Sequence, residues 1–378
     1  MRSFRIAILK ARRWIRIAGK YAIEQHLHIS KGERQMSRFK FSVGPWNVSE
    51  GADVYGPNVR DSFTLDEKIR KFAELGFDAV QFHDDDAVPN MNNMTDEEII
   101  AEAKRVKGVL DANGLKAEFV APRLWMDPRC VDGGFTSNSQ EDREFAIWRA
   151  LRSIDIANAL GADKIVLWLA REGTLCAEAK SAVRATRQLI DAIDAMLDYD
   201  KSIKILIEPK PNEPIDRSFC GTMGHVMGIS AATKDPSRVG GLLESAHAVL
   251  AGLDPANEIG FAMAMGKLWG VHLNDQNGLK FDQDRSFGVE NLRQAFNQVK
   301  LLMENGYGSN GEYIGLDVKA MRTTDTEHSW MHLTNSLKIF KMLEEKASRY
   351  DYGFQKQCIE ARNYEALEMY VMELLMKG

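Results

Sequence analysis

From Phe39 onward the chain alternates between short apolar runs and longer stretches in which apolar residues recur every three or four positions. The short runs read as buried strands: Phe39–Val43, Ala79–Phe82, Ala117–Ala121, Lys164–Trp168, Ile203–Ile207, Val239–Leu243, Leu268–Leu273 and Tyr313–Leu316. Their starts lie 29 to 47 residues apart, the size of one strand–helix unit. Helix signals fill the gaps. Thr64 with Glu67 three residues on forms a capping box, and Gly76 stops that helix. Thr95, Glu98 and Gly114 repeat the device.

Eight such units predict an α/β fold, a closed (β/α)8 TIM barrel with its helices outside. An open doubly wound sheet would carry a glycine-rich phosphate turn after its first strand, and Gly44–Gly51 has no G-x-G-x-x-G. Residues 338–378 read as a short helical tail, which leaves 36–337 as the catalytic barrel.

Residues 1–35 stand apart. Seven Lys or Arg fall within the first 20 residues, and the first acid is Glu24. The apolar run Ile6–Leu9 is too short for a signal peptide. This segment reads as a basic extension, disordered or helical, with Met36 as an alternative start.

The whole chain has 378 residues with 49 Lys and Arg against 54 Asp and Glu, a net charge of −5. That balance gives no footprint for nucleic acid. No apolar run approaches the ~18 residues of a membrane span. Cys130, Cys176, Cys220 and Cys358 are widely spaced, as expected of free thiols in a reducing compartment, the cytoplasm.

In a barrel, chemistry sits at the C-terminal ends of the strands. Those ends carry His83-Asp84-Asp85-Asp86, Trp168, Glu208, Lys210, Glu244 with His247, His272 with Asn274, Asp282 and Asp284 in the following loop, and Asp317 with Lys319. Crowded carboxylates repel, and burying them unpaired is costly. A divalent cation relieves both. Glu208, Glu244, His247, Asp282, Asp284 and Asp317 exceed what one octahedral ion uses, so two cations sharing a carboxylate is the economical reading. The alternative is a salt-bridge network with Lys210, Arg171 and Lys319. His225, His328 and His332 read as structural or solvated.

These residues lie in motifs that resemble those of the xylose isomerase family. They are Phe82-His83-Asp84-Asp85-Asp86, Asp132-Gly133-Gly134-Phe135-Thr136, Arg171-Glu172-Gly173, Glu208-Pro209-Lys210-Pro211-Asn212-Glu213-Pro214, Asp282-Gln283-Asp284 and Asp317-Val318-Lys319, in that family's order and spacing. The resemblance runs from about Phe39 to about Thr324. It implies conversion of D-xylose to D-xylulose, or of a related aldose, by a metal-assisted hydride shift, in a homo-oligomer (dimer or tetramer) with two cations per subunit (Mg²⁺, Mn²⁺ or Co²⁺). Glu208, Glu244 and Asp317 would hold the structural metal. Glu244 would bridge to a catalytic metal held also by His247, Asp282 and Asp284. Lys210 would contact O1, and His83, oriented by Asp86, would take the ring oxygen. Trp46, Trp125 and Trp168 would wall the sugar site, with Asn274 and Lys319 beside it. The chain departs from the family at His272, where the family has an acid. An imidazole there is expected to be a metal ligand favouring Mn²⁺ or Co²⁺. Another isomerase or epimerase, or a divalent-metal hydrolase such as a phosphodiesterase or endonuclease, is the competing expectation.

Overall fold

The computed structural model describes residues 39–279 and 281–377. The basic segment 1–35 lies outside them.

Eight parallel strands close into a barrel in sequential order: β1 Phe41–Val43, β2 Ala79–His83, β3 Lys116–Ala121, β4 Lys164–Trp168, β5 Lys204–Glu208, β6 Val239–Glu244, β7 Leu268–Leu273 and β8 Ile314–Leu316, with β8 pairing back onto β1. All eight coincide with the apolar runs, with ends differing by at most two residues. The main helices are α1 Leu65–Leu75, α2 Asp96–Ala112, α3 Gln140–Leu160, α4 Ala182–Tyr199, α5 Met223–Ala232, α6 Pro255–Ala264, α7 Leu292–Glu304 and α8 Met331–Ser348. The Thr64–Glu67 and Thr95–Glu98 capping boxes are both formed, and Gly76 ends α1 at φ 86°, a left-handed conformation that costs glycine little.

Strand alternation divides the apolar residues into two layers. Ile205 and Ile207 point outward to the helices, whereas Phe119, Val166, Leu206 and Leu242 fill the barrel interior. Each fully buried side chain of this size contributes about 1.5–3 kcal/mol. The inward parity continues upward. Leu206 is followed two residues on by Glu208, Leu242 by Glu244, and Val166 by Trp168. The strand periodicity that builds the apolar floor therefore also aims the polar ends at one point.

Residue 338, where the sequence places the start of the tail, lies inside α8. Two further helices follow, α9 Tyr352–Ala361 and α10 Tyr364–Met376. They fold back on α8: Lys346 Nζ donates to the Leu374 carbonyl at 3.0 Å, and the Tyr350 and Tyr370 rings meet edge to face at 5.4 Å. No helix among the described residues is long and apolar enough to cross a membrane.

Candidate metal and sugar site

The upper mouth of the barrel holds a cavity of about 400 Å³ with an acidic side and an aromatic side. Register sets the acidic side. Trp168 pairs with Glu208 across β4–β5, and Glu244 pairs with His272 across β6–β7. Glu244 and His247 come together because a short helix, Ser245–Leu250, starts at the strand end. Asp282 and Asp284 arrive on the loop after β7. That loop is closed by paired backbone bonds between Asp275 and Arg285, both 3.0 Å. Glu213 fastens it from the β5 side: its Oε2 accepts from the Asp282 amide at 2.9 Å and from Lys210 Nζ at 3.2 Å. Glu213 and Asp284 have φ of 61° and 45°, left-handed values unfavourable for non-glycine residues, so strain is concentrated at this junction.

Three ligand groups result, each with its donor atoms within 4.8 Å of one another: Glu208–Glu244–His247, Glu244–His272–Asp317 and Glu244–Asp282–Asp284. Glu244 belongs to all three. Two buried polar atoms here, Asp282 Oδ1 and His247 Nδ1, have no hydrogen-bond partner. Such orphans are rare in buried sites. The donor set, mostly hard carboxylate oxygens with two imidazoles, fits divalent cations of the Mg²⁺, Mn²⁺ or Co²⁺ kind. Without a cation the carboxylates compete for protons. Burial raises the Glu244 carboxyl well above the usual range, with Asp282 and Asp317 adding to the rise against the pull of His247. Burial also pushes Asp284 up to about 8, with Asp282 reinforcing it.

Lys210 is buried, 2.9 Å from Asp282 Oδ2, with its ammonium 5.1 Å from the centre of the Trp168 ring. Burial alone would lower its pKa, but Asp282 and Glu213 outweigh that and hold it above the ordinary lysine value. Lys319 pairs with Asp284. On the aromatic side, Trp125 and Trp168 meet perpendicularly at 4.4 Å, and Trp46 lies 4.2 Å from the His83 ring. Trp46 is fixed at both ends. Its Nε1 donates to Asp317 at 3.0 Å, and neighbouring Asn47 accepts from the Val318 amide at 2.6 Å and from His332 Nε2 at 2.8 Å.

The Asp84-Asp85-Asp86 run divides its labour. Asp84 is buried and held by Arg149 through two bonds of 2.7 Å, which locks the strand end to α3. Asp86 Oδ2 lies 2.9 Å from His83 Nδ1. Arg123 bonds Asp86 Oδ1 at 2.9 Å and touches His83 Nδ1 as well.

A family model described as xylose isomerase-like TIM barrel matches residues 69–318, about two thirds of the chain. The chain belongs to this family. Solved structures with the same barrel include a D-tagatose 3-epimerase-like protein (17% identity, TM-score 0.57, covering 80% of this chain and 98% of that one). A 3-keto-D-glucoside 4-epimerase from E. coli matches at 14% identity and TM-score 0.57, covering 80% and 99%. A xylose isomerase domain protein from Planctomyces limnophilus matches at 14% and 0.56, covering 83% and 100%. At these identities the likeness shows the fold.

Within this xylose isomerase-like barrel, most residues singled out from sequence line the one cavity: Trp46, His83, Trp125, Trp168, Glu208, Lys210, Glu244, His247, His272, Asp282, Asp284, Asp317 and Lys319. Asp86 sits behind His83. Asn274 departs from expectation. It does not line the cavity, because its amide is spent on Glu244 Oε1 (2.8 Å), Asp284 Oδ1 (3.0 Å) and the Ala246 amide (2.8 Å). It orients carboxylates instead of facing a sugar. Arg171 Nε donates to the Trp125 carbonyl at 3.0 Å. Glu172 accepts from the Gly134, Phe135 and Thr136 amides, each at 2.9 Å, which is what the Asp132–Thr136 motif is for. His332 is buried, not solvated, and serves the Trp46 loop. Sequence reasoning gave no role to Gln81, Glu118 or Glu213. Only Glu213 had a signal, its place in the Glu208–Pro214 string.

Proposed function

We propose that this protein is a divalent-metal-dependent sugar isomerase, converting an aldose such as D-xylose to its ketose by hydrogen transfer between C2 and C1. The observation that carries the reading is Glu244. It is common to three ligand groups that face Lys210, His83 and an aromatic wall across a cavity of sugar size. Glu208, His272 and Asp317 with Glu244 would hold one cation, and His247, Asp282 and Asp284 with Glu244 the other. Bound cations would supply Lewis-acid polarisation of a carbonyl and its neighbouring hydroxyl.

The protein's own groups do the rest. Lys210, charged and buried, donates to the aldehyde oxygen. His83, with Nδ1 engaged by Asp86, exchanges a proton at the ring oxygen through its other nitrogen. Trp46, Trp125, Trp168 and Phe119 cover the apolar face of the sugar and exclude water, so the migrating hydrogen does not wash out. In D₂O the ketose should therefore carry little deuterium at C1.

Epimerisation of a keto sugar is the second reading, favoured because two of the similar structures are described as a 3-epimerase-like protein and a 4-epimerase. A phosphodiester hydrolase is disfavoured by charge. The cavity's cations, Arg123, Lys210 and Lys319, are each paired with a carboxylate, so the lining has no net basic surface to attract a phosphodiester. The reading includes a cytoplasmic homo-oligomer. Val54 and Tyr55 support assembly, standing 90% and 95% exposed on a turn pinned by Arg322 to Asp53 at 3.0 Å.

The test is product analysis by NMR after incubating metal-loaded protein with aldoses and ketoses. Ketose from aldose supports the isomerase. Inversion at C3 or C4 with no aldose–ketose exchange would replace it with the epimerase.

A further inference from the structure

One ligand, His272, is met from below by two further polar side chains of the barrel interior. Gln81 on β2, Glu118 on β3 and His272 on β7 are all buried, in a layer otherwise filled by Phe119, Leu206 and Leu242. Buried polar groups in an apolar layer need partners, and these three find one another. Gln81 Nε2 lies 3.1 Å from Glu118 Oε2 and 3.0 Å from Ser42 Oγ, and Gln81 Oε1 lies 3.1 Å from His272 Nε2.

The chemistry of the chain fixes its direction. An ionised carboxylate only accepts, and Glu118 offers one oxygen to Gln81 at 3.1 Å and the other to Lys164 Nζ at 3.9 Å. The atom of Gln81 facing Glu118 must then be the amide nitrogen. That leaves the carbonyl facing His272, and a carbonyl only accepts. His272 Nε2 must therefore carry a proton. In the neutral ring, Nδ1 is then the bare nitrogen, and it faces Glu208 at 2.9 Å, Glu244 at 3.7 Å and Asp317 at 3.9 Å. A cation held by those three carboxylates would take the place of a proton on Nδ1 and bind its lone pair.

Two backbone features hold the relay. The β2–β3 register slips here: Val80 pairs with Ala117 but Phe82 with Val120, a bulge that places Glu118 beside Gln81. On β8, Gly315 leaves the space the pair occupies. A Cβ there would lie 2.4 Å from Gln81 Nε2 and 2.9 Å from His272 Cδ2.

We propose that Gln81 and Glu118 are positioning residues that set the tautomer of His272 and so make Nδ1 its metal-binding atom. The inference rests on the reading of His272 as a ligand and adds the device that makes it one. A neutral imidazole in a carboxylate site is useful only in one tautomer, and outer hydrogen bonds of this kind typically govern 10–100-fold in metal affinity.

The test uses the full chain. Gln81→Met keeps the volume and removes the acceptor. The exchange variant Gln81→Glu with Glu118→Gln keeps an acceptor facing His272 Nε2. Mn²⁺ affinity is measured by calorimetry. The His272 tautomer is read from ¹⁵N shifts of histidine-labelled protein loaded with Mg²⁺, and a merely structural role would leave those shifts unmoved. Gln81→Met should bind Mn²⁺ 10–100-fold more weakly and lose the uniform Nε2–H signal, while the exchange variant stays within a few-fold of wild type. Wild-type affinity and tautomer in Gln81→Met would overturn the relay. So would lost affinity in a folded exchange variant, which keeps the test decisive if Gln81→Met does not fold. Absence of Mn²⁺ binding by the wild-type chain would instead overturn the ligand reading on which the relay stands.

Discussion

Glu244 and His272 are direct register partners on adjacent barrel strands, and their side chains meet at 3.7 Å inside the mouth of the barrel. The pair sets the carboxylate common to the three ligand groups beside the imidazole that stands where the family pattern has an acid.

Glu244→Gln should be the most damaging ligand change. It keeps the volume, but it removes one charge from all three ligand groups at once. Mn²⁺ affinity should fall on the order of 100-fold or more, beyond the loss usual for an outer-shell partner. Calorimetry should show fewer bound ions than in the wild type. Unchanged stoichiometry would assign the sharing role elsewhere.

His83→Ala should slow turnover of a cyclic aldose far more than that of an aldose blocked in its open-chain form. General acid–base help of this kind contributes ~10²–10⁴-fold. Equal slowing of both substrates would remove His83 from ring opening.

Asp84 tests the scaffold behind the site. Its carboxylate is fully buried against Arg149, and breaking one partner of such a pair costs about 3–5 kcal/mol. Asp84→Asn should lower the urea midpoint accordingly while leaving the ligand set in place. A midpoint within experimental error of wild type would contradict the anchoring role.

The strands, the order of the barrel and the metal-ligand candidates were legible because each has a local signature: apolar runs, capping boxes, and acids at strand ends. The motif position of Asn274 says nothing about which way its amide faces, and packing turns it toward Glu244. Gln81 and Glu118 were invisible for a related reason. Glu118 precedes the inward Phe119, so alternation alone would turn it outward, and only the register slip beside Val80 brings it to Gln81. His332 shows the same limit: a histidine four residues after another on one helix reads as a solvated face until the helix is docked on Asn47.

His332 also makes stability depend on pH. Burial lowers its pKa to about 4 from an ordinary 6.5, with the Asn47 carbonyl opposing the fall and Arg60 adding to it. The unfolded chain therefore takes up this proton first as pH drops. Its contribution is complete above about 6.5 and is lost between about 6.5 and 4, amounting to about 3 kcal/mol. His332→Gln retains a donor for Asn47 but cannot titrate. Denaturation at pH 7 and pH 4.5 should show a smaller loss in the variant than in the wild type. Equal losses would exclude His332 as the source.

The central claim is that cations gathered around Glu244 make this barrel a sugar isomerase. The direct measurement is aldose–ketose interconversion by protein of verified metal content, before chelation, after it, and after return of Mn²⁺, Co²⁺ or Mg²⁺. The account predicts conversion that vanishes with the metal and returns with it. Full turnover by protein free of metal, or no conversion of any aldose or ketose by the loaded protein, would contradict it.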